Sequence, residues 1–158
     1  VPFWSALDEV AVTAYFPVST RPRSRWRTHL ETLKQFALRH HKPIIISEYG
    51  YPAIHSAARK PWDEYASSQA DEALQAHLTT IALNALAQAD ISSSFLWNWF
   101  GFGGASPQEY SPRGRESARV IQAHFNNVRR GGPPQRPDRR LELERDDHSS
   151  KIDIRSSL

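Results

Sequence analysis

The chain contains neither cysteine nor methionine in its 158 residues. Without cysteine there is no disulfide, no thiolate zinc ligand and no cysteine nucleophile. The redox compartment stays open, because a cysteine-free chain suits either. Without methionine, Val1 is not an ordinary translation start. The expectation is a processed product, a trimmed chain or a piece of a longer protein. No apolar run approaches the ~20 residues that span a bilayer, so no membrane partner is expected. Residues 1–7 lack the basic start and long apolar stretch of a secretory signal. With the natural start unknown, the cellular location stays open.

What is present is aromatic. Five tryptophans, five tyrosines and seven phenylalanines make up 11% of the chain. Tryptophan is expected in core packing or in ligand stacking rather than idle on a surface. The length suits one ordinary domain with a sizeable core. It is too short for a complete (β/α)₈ barrel, which takes about 250 residues. Charge is nearly balanced, with 20 basic and 17 acidic residues, but it is unevenly spread. Residues 1–128 hold 12 basic and 11 acidic side chains, and residues 129–158 hold 8 and 6. The second segment carries Gly-Gly-Pro-Pro at 131–134 and has no aromatic residue and five aliphatic ones. Such a stretch buries too little apolar area to offset its ordering entropy, so 129–158 reads as a disordered tail of mixed charge. Its mixed signs favour a solvated tail over nucleic-acid binding.

Residues 1–128 alternate short apolar runs with helical patterns. Leu7–Tyr15 is β-branched and reads as a strand. Ser24–His40 places Trp26, Leu30, Leu33 and Ala37 on one helical face. Pro43–Glu48 is a continuous apolar run, as in a strand covered on both faces. Ser68–Ala89 reads as a helix opened by a Ser68/Asp71 capping box, with Ala70, Leu74, Leu78, Ile81 and Ala85 on its buried face. Ser93–Phe100 reads as a third strand. Ser111-Pro112 supplies a cap and a first-turn proline to a last helix carrying Ala118, Ile121, Phe125 and Val128. The order β-α-β-α-β-α predicts an α/β fold of three consecutive βα units with a parallel sheet and right-handed crossovers.

Each strand ends in large aromatics: Tyr15-Phe16, Tyr49 and Tyr51, and Trp97-Asn98-Trp99-Phe100. In parallel α/β folds these carboxyl ends form the ligand face. Glu48 stands there after three isoleucines, where burying a charge without a role is expensive. Two readings are open: a functional carboxylate, or a solvated strand-end glutamate paired with arginine. Aromatic rings with one carboxylate suit a carbohydrate, since sugar faces stack on rings and a carboxylate attacks or stabilises an anomeric carbon.

The runs LDEVAVTAYFPVS, KPIIISEYGYP and SSFLWNWFGFGG…YSPRG resemble the last three strands of a clan A glycoside hydrolase of the family 113 type, associated with β-mannanase activity. The resemblance covers about residues 3–125. It implies the C-terminal portion of a (β/α)₈ TIM barrel, strands six to eight, acting by retention on β-glycosidic bonds of a mannan-like polysaccharide or oligosaccharide. By resemblance Glu48 is the nucleophile, Tyr15 orients it, and Trp97 or Trp99 floors a sugar subsite. Asn98 either bonds a sugar hydroxyl or serves local backbone. Tyr51 joins the substrate face, and Trp62 is either a sugar platform or the small core of its own loop. No cofactor is implied.

The chain departs from that family in one large respect. The clan's acid/base glutamate lies in an Asn-Glu pair after the fourth strand, and no Asn-Glu pair occurs here. The expectation is that the acid lies upstream with strands one to five, and that this segment alone is inactive. Its partner would then be the missing barrel half or a second copy, covering two open sheet edges. The alternative is a non-catalytic carbohydrate-binding or structural remnant. Asp63 and Glu64 replace the missing acid only if their loop reaches the site. Trp4 and Trp26 read as packing residues. The seven histidines form no metal-ligand spacing, with His40 and His41 adjacent and pointing apart. Arg21, Arg23, Arg25 and Arg27 share no helical face and read as a solvated entry to the first helix. Gly101, Gly103 and Gly104 do not fit a phosphate-binding pattern.

Overall fold

The computed structural model describes residues 2–18, 22–63, 66, 68–89, 91–99 and 109–132. After a 3₁₀ turn at Pro2–Ala6 the elements run β1 (Val10–Thr13), α1 (Pro22–His40), β2 (Ile44–Tyr49), α2 (Glu72–Ala87), β3 (Ser93–Leu96) and α3 (Glu116–Arg129). The three strands form one parallel sheet in the order β1-β2-β3. The expected α/β alternation is therefore present, with shorter first and third strands than the apolar runs suggested. Residues 133–158, which hold most of the expected tail, lie outside the described residues, as do Arg21, Glu64, Phe100, Gly101, Gly103, Gly104 and His148.

β2 is the central strand, and its isoleucines set the core. Ile44 and Ile46 are buried against α1, whose Trp26, Leu30 and Ala37 are also buried. A period-2 strand would next bury residue 48, yet the buried residue is Tyr49. The pairing explains the shift. Val12 pairs with Ile46 but Thr13 with Glu48, and Ser94 pairs with Ile46 but Leu96 with Tyr49. β2 thus carries one residue more than either neighbour just before its end. Such bulges re-aim side chains, and here Glu48 stays half-buried while the Tyr49 ring goes into the core. Burial pushes the Tyr49 phenol up to about 12, with a Ser94 side-chain bond opposing it.

α2 is buried almost all round, from Leu74 to Leu86, because it packs against both α1 and α3. It tolerates polar residues inside by satisfying them locally: Thr79 and Thr80 donate to the carbonyls of Gln75 and Ala76 at 2.7 and 2.9 Å. Its start differs from the expected capping box. Asp71 is the N-cap, its Oδ1 accepting from Leu74 N–H at 2.8 Å. An aspartate there satisfies an orphan donor and favours the helix dipole. Ser68 instead accepts from Ser56 N–H at 3.2 Å. Ala70 lies outside the helix in an antiparallel bridge to Ile54, and it is exposed rather than on the buried face.

α3 also begins later than expected. Ser111 and Pro112 are buried in a turn in which Arg115 N–H bonds the Pro112 carbonyl at 3.0 Å. Gly114 takes φ +76, a left-handed conformation that interrupts a helix and suits glycine. The helix therefore starts at Glu116 with Arg115 as N-cap. It buries Ser117 and His124, while Phe125 and Val128 are more than half exposed. Gly131, at φ +69, ends it. No helix among the described residues is long and apolar enough to cross a membrane.

Candidate active site

The carboxyl ends of β1 and β2 are tied together twice. Ala14 N–H bonds the Glu48 carbonyl at 2.7 Å. Beyond it, the Tyr15 hydroxyl donates to Glu48 Oε2 at 3.2 Å. Tyr15 and Glu48 are both half-buried, as suits groups that face a ligand yet are held from behind. The third strand joins through its end, where Trp97 N–H bonds the Tyr49 carbonyl at 2.8 Å. Gly50 is needed at this junction: a Cβ there would run into the Trp97 carbonyl oxygen.

Three indoles are open to solvent on the loops that follow the strands. Trp62 is 57% exposed, Trp97 42% and Trp99 55%. Trp62 therefore does not form a core for its own loop. Because β3 ends at Leu96, strand alternation does not select between Trp97 and Trp99, and both are exposed. The Asn98 Oδ1 atom is buried with no hydrogen-bond partner among the described residues. Trp26, by contrast, is 1% exposed, and Trp4 packs against Phe36 in an edge contact at 5.1 Å; both are packing residues.

Tyr51 is not on the ligand face expected for it. It is buried, its hydroxyl accepting from Trp26 Nε1 at 2.8 Å and donating to the Phe16 carbonyl at 2.9 Å. Burial also raises its pKa well above the ordinary phenol value. A ring so enclosed has no free face for a sugar. Its work is to fasten the chain just after Tyr15 to α1 and to the loop after β2.

Two residues of this region were not singled out from the sequence. Tyr110 meets Tyr15 edge to face, with ring centroids 5.8 Å apart. Gln75 is buried inside α2 and donates to the carbonyls of Tyr51 and Tyr110, both at 3.0 Å, while accepting from the Ser117 hydroxyl at 2.9 Å. The available signals were slight: a tyrosine before Ser-Pro, and a glutamine beside the apolar stripe of a helix. Asp63 pairs with Lys60 at 3.9 Å at the surface. Among the described residues no group of three or more histidines and carboxylates is placed to hold a metal ion.

Residues 1–111 match the model of Glycoside Hydrolase Family 113. The chain belongs to that family. Among solved structures it is similar to a GH113 β-1,4-mannanase, with TM-score 0.68 and 21% identity over 80% of this chain and 41% of that one. The GH113 β-mannanase from Alicyclobacillus acidocaldarius in complex with ManMIm gives TM-score 0.65 and 23% identity, again over 80% and 41%. No curated protein matches in sequence. These likenesses establish the fold: the three βα units are part of a (β/α)₈ barrel, and the match spans about two-fifths of the length of the GH113 structures. On that fold the ends of β1, β2 and β3 lie on the face where barrel enzymes place their sites, and this GH113 chain presents Tyr15, Glu48 and the tryptophans there.

Proposed function

We propose that this GH113 chain supplies the nucleophile to retaining hydrolysis of β-mannosidic bonds. Glu48 is the nucleophile. The observation that carries this reading is the bond from the Tyr15 hydroxyl to Glu48 Oε2 at 3.2 Å, at the bulged end of the central strand. One carboxylate oxygen is engaged, which fixes the plane of the group and leaves the other to approach an anomeric carbon. In the first step that oxygen bonds to C1 and the glycosidic C–O bond breaks. A general acid about 5–5.5 Å from Glu48 protonates the leaving oxygen, and in the second step it deprotonates the water that frees the sugar. No Asn-Glu pair occurs in these 158 residues, and we assign the acid to a part of the protein outside them. Trp62, Trp97 and Trp99 offer indole faces for the mannose rings, an arrangement usual for sites that mix apolar walls with few polar groups.

The test is hydrolysis of a manno-oligosaccharide by the intact protein, followed by proton NMR of the first anomer released. A retained β-anomer is expected, together with a loss of more than about 10³-fold in kcat for Glu48→Gln, the scale of losing a nucleophile. An inverted product, or an active Glu48→Gln variant, would remove Glu48 from this role.

A further inference from the structure

Tyr110 touches four separate parts of the chain at and beneath the ligand face. Its ring meets that of Tyr15 edge to face, at a centroid distance of 5.8 Å and an interplanar angle of 66°. Its Cδ1 stands 3.2 Å from where a Cβ on Gly50, two residues past Glu48, would lie. Its hydroxyl donates to the carbonyl of Pro61, the residue before Trp62. Its own carbonyl accepts from the buried Gln75 Nε2, which also holds the Tyr51 carbonyl. The residue is 6% exposed, so it meets the solvent side of the site only through its neighbours.

Two consequences follow from different atoms of this one side chain. A tyrosine at a strand end has free rotation at χ1 and χ2 unless something walls its ring. The Tyr110 ring is such a wall, and without it the Tyr15 phenol gains rotamers that leave Glu48. The Tyr110 hydroxyl anchors instead the loop of residues 52–63, whose exposed Trp62 is a candidate sugar platform. We propose that Tyr110 is a positioning residue with two separable tasks: its ring keeps Tyr15 on Glu48, and its hydroxyl sets the height of Trp62 over the bound sugar. The proposal rests on Glu48 being the nucleophile.

The experiment reads Glu48 directly, without the general acid. A 2-deoxy-2-fluoro-β-mannosyl fluoride needs no protonation of its leaving group. The Glu48 carboxylate oxygen bonds to C1, the C1–F bond breaks, and fluoride departs with the electron pair, leaving a glycosyl ester that is counted by intact mass and located by peptide mapping. In the intact wild-type protein labelling is expected at Glu48. Tyr110→Phe keeps the ring, so its maximal labelling rate stays within about twofold while the half-saturating concentration rises about 3–10-fold, the worth of one hydrogen bond. Tyr110→Leu lowers the maximal rate about 10–100-fold, as misplacement does. The Tyr15→Phe/Tyr110→Leu double variant is no slower than the slower single variant, because both act on one contact. If Tyr110→Leu does not fold, Tyr110→His, which keeps a smaller planar ring, is expected to give an intermediate loss. A wild-type maximal rate in the folded Leu or His variant would overturn the ring's task, as would strict additivity with Tyr15→Phe. An unchanged half-saturation in Tyr110→Phe would overturn the hydroxyl's task. A wild-type protein that takes no label at Glu48 would overturn the nucleophile assignment itself, a result distinct from the other two.

Discussion

Tyr15 and Glu48 belong to neighbouring parallel strands, and the hydroxyl of the first donates to Oε2 of the second across 3.2 Å. The contact depends on the extra residue that β2 carries before Glu48, since the register passes from Val12–Ile46 to Thr13–Glu48 at that point. Hydrogen bonds to a charged partner contribute about 1.5–3 kcal/mol. If Glu48 is the nucleophile as proposed, Tyr15→Phe in the intact protein is expected to lower kcat on manno-oligosaccharides by about 10–100-fold, with KM changed less than threefold and the thermal midpoint held within a few degrees. A rise in KM with kcat unchanged would place Tyr15 in substrate binding instead.

Among the glycines of the described residues, Gly50 is the one beside the site where a side chain would meet backbone. A Cβ there meets the Trp97 carbonyl oxygen, and the neighbouring Tyr110 ring closes the other side. Overpacking of this kind costs about 1–3 kcal/mol. Gly50→Ala is expected to lower the urea midpoint accordingly. It should also impair Glu48 labelling, because relief comes by moving the ends of β2 and β3 apart. An unaltered midpoint would mean that the two strand ends separate freely.

Gln75 holds four groups at once: the carbonyls of Tyr51, Glu109 and Tyr110 and the hydroxyl of Ser117. Leucine fits the same volume but leaves these buried groups unsatisfied, at a cost of about 2–4 kcal/mol. Gln75→Leu is expected to destabilise the protein by that amount in chemical denaturation, and Gln75→Glu, which keeps the acceptor and loses the donor, by a similar one. Stability equal to wild type in both variants would show that the network contributes nothing to the fold.

The order of elements was legible because the apolar runs at 10–13, 44–49 and 93–96 are separated by helical periods, and period alone distinguishes them. The carboxylate was legible as a candidate because Glu48 closes the run Ile44-Ile45-Ile46-Ser47 at a strand end. The bulge was not, since it arises from the register against two other strands and leaves no mark in the run PIIISEY. The same limit misplaced Tyr51. Its hydroxyl meets Trp26 of α1, and a tyrosine three residues past Glu48 looks identical from sequence whether it faces sugar or core. Helix starts were misread where two candidate caps competed: Asp71 took the role expected for Ser68, and Gly114 delayed α3 beyond Ser111-Pro112.

His124 gives the fold a pH dependence. It is buried on α3, and burial holds its pKa below the ordinary histidine value. The unfolded chain therefore binds the proton more readily than the folded one. Stability then rises as pH rises through the gap between the folded value and about 6.5, and it falls on acidification below that gap's upper edge. Urea midpoints measured from pH 7 to pH 5 are expected to decline, and His124→Gln to flatten the decline. Equal slopes in the two proteins would assign the acid sensitivity to carboxylates instead.

Trp26 and Trp62 separate packing from binding within one residue type. Trp26 is enclosed, and its indole N–H is used by the Tyr51 hydroxyl. Trp62 is 57% exposed beside the Pro61 carbonyl that Tyr110 holds. Replacing the first by phenylalanine removes volume and a hydrogen bond, so a loss of about 1–3 kcal/mol of stability is expected. Replacing the second by alanine removes an exposed face, so stability should stay within about 0.5 kcal/mol. If that face stacks on mannose, the dissociation constant for a manno-oligosaccharide, measured by calorimetry on the intact protein, rises about 5–30-fold in Trp62→Ala, because a lost aromatic contact is worth about 1–2 kcal/mol. Binding equal to wild type in that variant would leave Trp97 and Trp99 as the only exposed indoles among the described residues to carry the sugar.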